Sequence, residues 1–299
     1  MSADRKASAA AKLPGISAEA ATLAARLPSL TLAARRVAES VMHGVHGRRR
    51  AGPGETFWQF RPFVSGEPAA RIDWRRSARE TRAFVREREW EATQTLWLWI
   101  DRSKSMRFSS ALAPCQKLDR AIVLALALAE LAVRGGERVG LLGLTRPMAT
   151  RGVVERFAEV LAAAEREPGE PLPTAARVPA RSKVVLIGDF LSPADDIARA
   201  FAALGGDSSQ GHLVAIADPV EETFPFAGHT EFLELAGPRR LRAPRAENLR
   251  ERYLSRWDAH REALRAAAAQ RGWDVLAHRT DQSAATALLA LSARLEQGG

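Results

Sequence analysis

Two stretches of the chain are apolar on both faces and run into a carboxylate. Residues 94–100 (QTLWLWI) precede Asp101, and residues 183–190 (KVVLIGDF) contain Asp189 near their end. Strands with two apolar faces are typical of a parallel sheet that helices cover on both sides. In open sheets of this kind, ligands bind outside the carboxyl ends of the strands. The pattern therefore predicts a ligand site next to Asp101 and Asp189.

Strands and helices alternate through the chain after residue 94. Predicted strands cover residues 94–100, 137–145, 183–190, 212–218 and 273–278, with a hairpin edge at 148–150 and a hairpin over 230–242. Predicted helices cover residues 115–134, 151–165, 193–204, 246–270 and 284–295. This alternation predicts an α/β fold with a doubly wound, mostly parallel sheet.

The part of the chain before residue 94 predicts a helix and a small β-rich module. Ser29 or Thr31 is expected to cap a helix that runs through Met42. Strand-like alternation follows over residues 56–63 and 82–92. The predicted divisions are a mobile N-terminal tail, a helix with a small β-rich module, and an α/β domain, at residues 1–28, 29–93 and 94–299.

The cysteine count and the lengths of the apolar segments indicate in which cellular compartment we expect the protein. A single cysteine, Cys115, cannot form an intramolecular disulfide, which favours a reducing environment. The most apolar helical segment, residues 121–129, is far shorter than the ~20 residues of a membrane-spanning helix. The amino terminus also lacks the apolar segment of a signal peptide. We expect a cytoplasmic protein without a membrane span.

The formal net charge of +9 is concentrated in the front third of the chain. Residues 1–95 carry 17 Lys and Arg against 10 Asp and Glu, whereas the remainder is nearly balanced. A basic region can face nucleic acid or an acidic protein. Acidic residues interrupt the basic run between Arg71 and Arg88, however, and Arg outnumbers Lys throughout, as a base-composition bias would produce. Nucleic-acid binding is therefore an alternative and not the main expectation.

The residues after the first predicted strand carry side-chain oxygen atoms at every second position. Asp101, Ser103 and Ser105 would point to the same side of an extended loop, where Asp189 would join them if the two strands are neighbours. Oxygen ligands with few charges suit Mg²⁺ or Mn²⁺. Two neutral hydroxyls would leave such an ion able to attract a partner's acidic side chain. We therefore expect these four residues to bind Mg²⁺ or Mn²⁺.

The Asp-x-Ser-x-Ser motif at residues 101–105 follows LWLWI, and LIGD occurs later in the chain. Together they resemble the metal-ion-dependent adhesion site of the von Willebrand factor A fold. The resemblance implies a domain of that kind over residues 94–299. Such sites usually add a threonine, for which Thr174 is the candidate. Arg102 and Lys104 flank the serines and would lower the affinity for a cation if they faced it.

The stretch GRRRAGPGETFWQFRPFVSGEPAARIDWRRSARETRAFVREREWE, at residues 47–91, resembles the signature of domain-of-unknown-function family fifty-eight. The likeness is close over residues 44–145 and looser beyond them. It implies a non-enzymatic adaptor that works with a MoxR-type AAA ATPase in protein maturation or complex assembly. Five residues match the signature and are expected to hold the module together through ion pairs and packing, with recognition as the alternative: Arg61, Arg71, Asp73, Trp74 and Arg79.

The expected function is thus a non-enzymatic, metal-dependent protein-binding adaptor with an acidic client. The first alternative is a Mg²⁺-dependent phosphoester hydrolase in which Asp101 or Ser105 attacks a phosphoryl group. No lysine or histidine is expected near these two residues, which weighs against the hydrolase. The pair of His43 and His46 lacks a third ligand, so both are expected on the surface.

Overall fold

The computed structural model of this protein describes residues 18–46, 57–64, 68, 72–78, 82–88, 94–165, 169–174, 178–180, 182–204, 210–235 and 237–297. The chain forms two compact units. Residues 44–93 form the smaller unit, and residues 1–43 together with 94–299 form the larger one. The N-terminal helix therefore belongs with the α/β domain, whereas the predicted division places it with the β-rich module.

Helices and strands are numbered in chain order over the described residues. The strands are β1 (Phe57–Pro62), β2 (Phe84–Arg88), β3 (Thr95–Ile100), β4 (Arg138–Leu141), β5 (Lys183–Gly188), β6 (Gln210–Ala217), β7 (Thr230–Leu233), β8 (Arg240–Ala243) and β9 (Asp274–Arg279). The helices are α1 (Ala18–His46), α2 (Trp74–Ser77), α3 (Lys117–Arg134), α4 (Val153–Ala164), α5 (Ala194–Ala203), α6 (Pro219–Thr223), α7 (Arg250–Ala269) and α8 (Ala284–Gln297).

Five parallel strands form the main sheet of the larger unit, in the order β4-β3-β5-β6-β9. This arrangement confirms the predicted α/β fold with a mostly parallel sheet. An antiparallel bridge between Val139 and Met148 lies where the sequence predicts a hairpin edge. The chain passes from β3 to β4 on one side and later returns to β5 on the other side of β3. The carboxyl ends of β3 and β5 therefore lie where open sheets of this kind form a ligand crevice, and we call this position the crevice.

Helices cover both faces of this sheet, which explains why its strands are apolar on both sides. Helices α1, α3, α4 and α8 share one core with Leu98 and Ile187 of the sheet. Helices α5 and α7 share the second core with Leu186 and Leu213. Removal of this apolar surface from water is the main stabilising contribution to the fold. The two cores hold the strand ends at the crevice in place.

Helix α1 begins at Ala18, so the predicted mobile tail over residues 1–28 is wrong for its last eleven positions. Residues 1–17 lie outside the described residues. The early turns of α1 are held by leucines at helical spacing that are buried in the core of the α/β domain: Leu23, Leu27 and Leu30. Burial of one face of a helix contributes more to its stability than local propensity does. The helix is therefore longer than its local signals indicate.

The two predicted capping residues lie inside α1. Their hydroxyls donate hydrogen bonds backwards along the helix, from Ser29 to the carbonyl of Arg26 and from Thr31 to that of Pro28. A capping hydroxyl would instead accept a bond from a backbone N–H further along the chain. Pro28 also lies within the helix, although proline ordinarily interrupts one. Packing against the α/β core outweighs both local signals.

The smaller unit contains the antiparallel pair β1–β2 and the four-residue helix α2. The backbone N–H of Asp73 donates to the carbonyl of Phe84 at 2.8 Å, which joins the start of α2 to β2. Val85 is buried, whereas the side chain of Trp74 is 66% exposed. The prediction that Trp74 packs within the module is therefore wrong. A single helical turn presents one side to β2, and the indole ring is left in solvent.

Some predictions concern parts of the chain outside this description. Four residues with predicted roles have side chains that lie outside the described part of the chain: Arg61, Arg71, Arg79 and His46. His43 is exposed, as expected. No helix in the described ranges is both long and apolar enough to cross a membrane.

Candidate functional site

The pairing of β3 with β5 brings Asp101 and Asp189 to the same end of the sheet. Each follows the last residue of its strand, and both are buried. The backbone N–H of Asp101 donates to the carbonyl of Ile187 at 2.8 Å. Gly188 provides the space for this approach, since a Cβ atom there would lie 2.8 Å from the Cβ atom of Asp101. The structure thus places the two predicted carboxylates beside each other.

The loop after β3 directs the two predicted hydroxyls towards each other. The backbone N–H of Ser103 donates to Oδ1 of Asp101 at 2.8 Å, a turn that aspartate side chains commonly stabilise. The Oγ atoms of Ser103 and Ser105 are 3.0 Å apart and share a hydrogen bond. Within the described part of the chain, Oδ2 of Asp101 is buried and has no hydrogen-bond partner. Buried polar atoms usually have partners, which makes this oxygen a candidate ligand atom.

The electrostatic environment disfavours a negative charge on Asp101. Burial raises the pKa of Asp101 to about 7, and the neighbouring carboxylate of Asp189 adds to the rise. The hydrogen bonds from Ser103 and the charge of Lys117 oppose it in part. A bound cation would reverse the balance, because an opposite charge at close range favours the ionised carboxylate.

A buried lysine lies in the crevice that the sequence predicts to lack one. Lys117, the first residue of α3, has no solvent-exposed surface. Its Nζ atom donates to Oδ2 of Asp189 at 3.0 Å and to Oε1 of Glu221 at 2.6 Å. Burial disfavours its charged form, but the two carboxylates outweigh burial and raise the pKa of Lys117 above its usual value. The only signal in the sequence is a rare lysine at the start of a strongly apolar helix.

Helix α6 is fastened to the loop after β3 through Asp218. This residue caps α6 by accepting a hydrogen bond from the N–H of Val220, and its own N–H donates to Glu221. Both the N–H and the hydroxyl of Ser110 donate to the Asp218 carboxylate, at 2.8 and 2.6 Å. Glu221, one of the two carboxylates that bind Lys117, is therefore held in place because α6 is bonded to the loop after β3. Spacing along the chain does not indicate this arrangement, since Ser110 and Asp218 are 108 residues apart.

The two basic residues beside the serines do not face the crevice. The guanidinium of Arg102 donates to the carbonyl of Ala164 at 2.6 Å, and Lys104 is exposed. Thr174 is also exposed and lines a cavity of about 180 Å³ with Arg102. In the described ranges it makes no hydrogen bond to the carboxylates or the serines of the crevice. The structure therefore brings together four predicted site residues and leaves Thr174 apart.

Comparison with known proteins identifies the family. The family model described as "Protein of unknown function DUF58" matches residues 59–263, which is more than half of the chain. The chain belongs to this family. Similar relatives of this DUF58 protein are "Uncharacterized protein Rv1480" of Mycobacterium tuberculosis and "Uncharacterized protein Mb1516" of Mycobacterium bovis, each 35% identical over 120 residues. The match covers 40% of this chain and only 37% of each relative's length.

Two solved structures are similar to the DUF58 protein at low sequence identity. One is the conserved hypothetical protein BatB from Bacteroides thetaiotaomicron, with 15% identity, a TM-score of 0.36, and coverage of 69% of this chain and 98% of the other. The second is an aerotolerance-related membrane protein from Bacteroides fragilis, with 14% identity, a TM-score of 0.42, and coverage of 68% and 99%. Similarity at this level supports no conclusion about function.

Within the described residues, few oxygen atoms of the crevice are available to a cation. The described residues contain no group of three or more His, Cys, Asp or Glu side chains arranged to hold a metal ion. A cation here would therefore depend on the Ser103 and Ser105 hydroxyls as well as on Asp101. Lys117 already engages one oxygen of Asp189. The other accepts a 3.3 Å hydrogen bond from the N–H of Leu191.

Proposed function

We propose that this DUF58 protein is a metal-dependent protein-binding adaptor. In this proposal, Asp101, Ser103 and Ser105 hold Mg²⁺ or Mn²⁺ at the crevice of a von Willebrand factor A-like domain, and Asp189 lies beside the ion. One observation carries it: Oδ2 of Asp101 is buried without a partner among the described residues, at the start of the loop in which the hydroxyls of Ser103 and Ser105 face each other. An unpartnered buried carboxylate oxygen is costly, and a cation would satisfy it.

The charges around the crevice support a role in docking. Lys117 offsets much of the charge of Asp189, which leaves Asp101 as the main neutralising ligand of a divalent ion. A bound ion would supply positive charge and coordination positions that are open to a further oxygen donor. A glutamate or aspartate of a partner protein has the charge and the donor atoms to complete that coordination.

The identity of the partner follows from the family resemblance alone. We propose a MoxR-type AAA ATPase and an acidic client protein, with the chain acting in protein maturation or complex assembly. The match covers only 37% of the length of the mycobacterial relatives, so these partners remain proposals for the whole protein.

Surface plasmon resonance with the purified ATPase and its client tests the adaptor. We expect binding in Mg²⁺, loss of binding in EDTA, and equal loss with the double variant Ser103→Ala/Ser105→Ala. This variant removes both hydroxyls without adding charge or bulk. The matched control is Ser109→Ala/Ser255→Ala, which makes the same chemical change at two exposed positions. Equal binding under all of these conditions would contradict the proposal.

The presence of Lys117 in the crevice removes one argument against the hydrolase alternative, but this lysine is poorly suited to catalysis. Lys117 is fully buried and holds two carboxylates, so it cannot approach a phosphoryl group without breaking both ion pairs. Incubation with p-nitrophenyl phosphate and Mg²⁺ separates the two functions. Turnover that the Asp101→Asn variant abolishes would establish the enzyme and exclude a purely adaptor role.

A further inference from the structure

The hairpin formed by β7 and β8 is separate from the main sheet. Its two strands pair antiparallel, from Thr230 opposite Ala243 to Leu233 opposite Arg240. In the described part of the chain, no third strand pairs with either one. Each strand therefore has an outer edge whose backbone groups can pair with another extended segment.

This hairpin exposes three large apolar side chains. Leu233, Leu235 and Leu241 are 60%, 51% and 56% exposed. Since neighbouring side chains along a strand point to opposite faces, Leu233 and its partner Arg240 lie on the face away from Phe232. Leu241 pairs with Phe232 and therefore lies on the other face, so Leu233 is the exposed leucine that shares its face with Arg240.

The face that carries Phe232 anchors the hairpin to the rest of the larger unit. The ring of Phe232 stacks on that of Phe224, with centroids 5.7 Å apart, and meets Phe226 edge-on at 5.1 Å. Phe224 in turn packs against Tyr253 at 4.6 Å. The hydroxyl of Tyr253 donates to the carbonyl of Glu221 at 2.8 Å. These ring contacts hold the hairpin against the larger unit and connect it to α6, which carries Glu221.

The charge of the hairpin favours an acidic partner. Residues 230–245 contain four arginines and two glutamates. The glutamates pair with Arg242 at 3.1 Å and with Arg239 at 4.0 Å. The remaining two, Arg240 and Arg245, are exposed and have no acidic partner in the part of the chain that the structure describes. Arg240 lies opposite the exposed Leu233, so one face combines an apolar side chain with an uncompensated positive charge.

We propose that the β7–β8 hairpin docks an extended segment of a partner protein that carries apolar and acidic side chains on the same face, at every second position. The segment would add to an edge of the hairpin through backbone hydrogen bonds. Its apolar side chains would contact Leu233 and Leu235, and its carboxylate would pair with Arg240. The surface does not involve the cation at Asp101, so docking here is separable from the proposed metal-dependent contact.

Fluorescence anisotropy of labelled peptides tests this surface on the full chain in EDTA. The probes are a peptide of about 12 residues in which every second position is in turn apolar or acidic, with threonine at the positions between, and its analogue with lysine at every acidic position. We expect the acidic peptide to bind, and its affinity to fall at least about tenfold in Arg240→Glu and in Leu233→Ser. Arg240→Glu should also gain affinity for the basic analogue.

A matched control variant and further measurements complete the test. Arg199→Glu makes the same charge change at an exposed position of α5 and should bind the acidic peptide as the wild type does. Unchanged melting temperatures would establish that the hairpin variants are folded. Equal binding of the two peptides, or equal binding by all variants, would overturn the proposal. So would preferential binding of duplex DNA, or self-association that Leu233→Ser abolishes, because either result assigns the surface to a different occupant.

Discussion

Oδ2 of Asp189 lies 3.0 Å from Nζ of Lys117, a lysine with no solvent-exposed surface. The first residue of α3 thereby neutralises the carboxylate that follows β5. Its second partner, Glu221, belongs to α6. Three segments that are distant in the sequence meet at this ammonium group, and they form the floor of the crevice next to Asp101.

Replacement of Lys117 by methionine should strongly destabilise the protein. The change leaves Asp189 and Glu221 with uncompensated charges, a situation that costs about 3–5 kcal/mol when one partner of a buried ion pair is removed. Urea denaturation measures the free energy of unfolding. The exposed Lys104→Met change, within the candidate site loop, should alter it by no more than about 0.5 kcal/mol. Similar values for the two variants would show that the buried ion pairs contribute little.

The contribution of Asp101 to the stability of the metal-free protein should decrease as pH rises from about 4 to about 7. Burial raises the pKa of Asp101 from 3.8 to about 7. Over this interval the folded protein therefore keeps a proton that the unfolded chain has lost, and the free energy of unfolding falls as pH rises. The loss is at most on the order of 4 kcal/mol.

Asp101→Asn isolates this contribution, because a neutral amide of similar shape does not titrate. Urea denaturation in EDTA should show that the change from pH 5 to pH 8 is less destabilising, or more stabilising, in the variant than in the wild type. Asp258→Asn, at an exposed position of α7, should retain the wild-type pH dependence. If Asp101→Asn retains it as well, Asp101 is already ionised in the folded protein at pH 5.

Gly188→Ala should destabilise the protein and displace Asp101, because the new side chain in β5 would collide with it. The new Cβ atom would lie 2.8 Å from that of Asp101, and such overpacking typically costs about 1–3 kcal/mol. Calorimetric titration with Mg²⁺ should also show weaker binding. Gly152→Ala is the matched control, since its Cβ atom would meet nothing within 4 Å. Wild-type Mg²⁺ binding by folded Gly188→Ala protein would show that the ion lies away from Asp101.

Trp74→Ala should change the free energy of unfolding by less than about 1 kcal/mol, because the ring is largely exposed. Val85→Ala, at a buried position of β2 in the same unit, should cost more, about 1.5–3 kcal/mol. Thermal and urea denaturation of both variants give the comparison. A larger cost for Trp74→Ala would indicate that the ring packs against another part of the protein. A small cost leaves this tryptophan available for recognition.

The sequence by itself determined the sheet and the carboxylates at its edge. An apolar run with two buried faces is stable only when helices cover both sides, so β3 and β5 are predictable from their composition. The alternation with helices predicts that the strands are parallel, but the pairing of β3 with β5 was only a condition of the prediction, because β4 lies between them in the chain. Parallel strands bring their carboxyl ends to one edge, which is why Asp101 and Asp189 could be predicted to meet if β3 and β5 are neighbours.

Only the tertiary structure decided which charges share the crevice and where α1 begins. Lys117 contacts residues 72 and 104 positions away, and no local pattern encodes a pairing that depends on how α3 and α6 pack. The early turns of α1 likewise depend on leucines buried in a distant core, so that packing outweighs Pro28 and the capping signals after it. Local signals describe the backbone of a segment, whereas these features depend on surfaces that become neighbours only after the chain has folded.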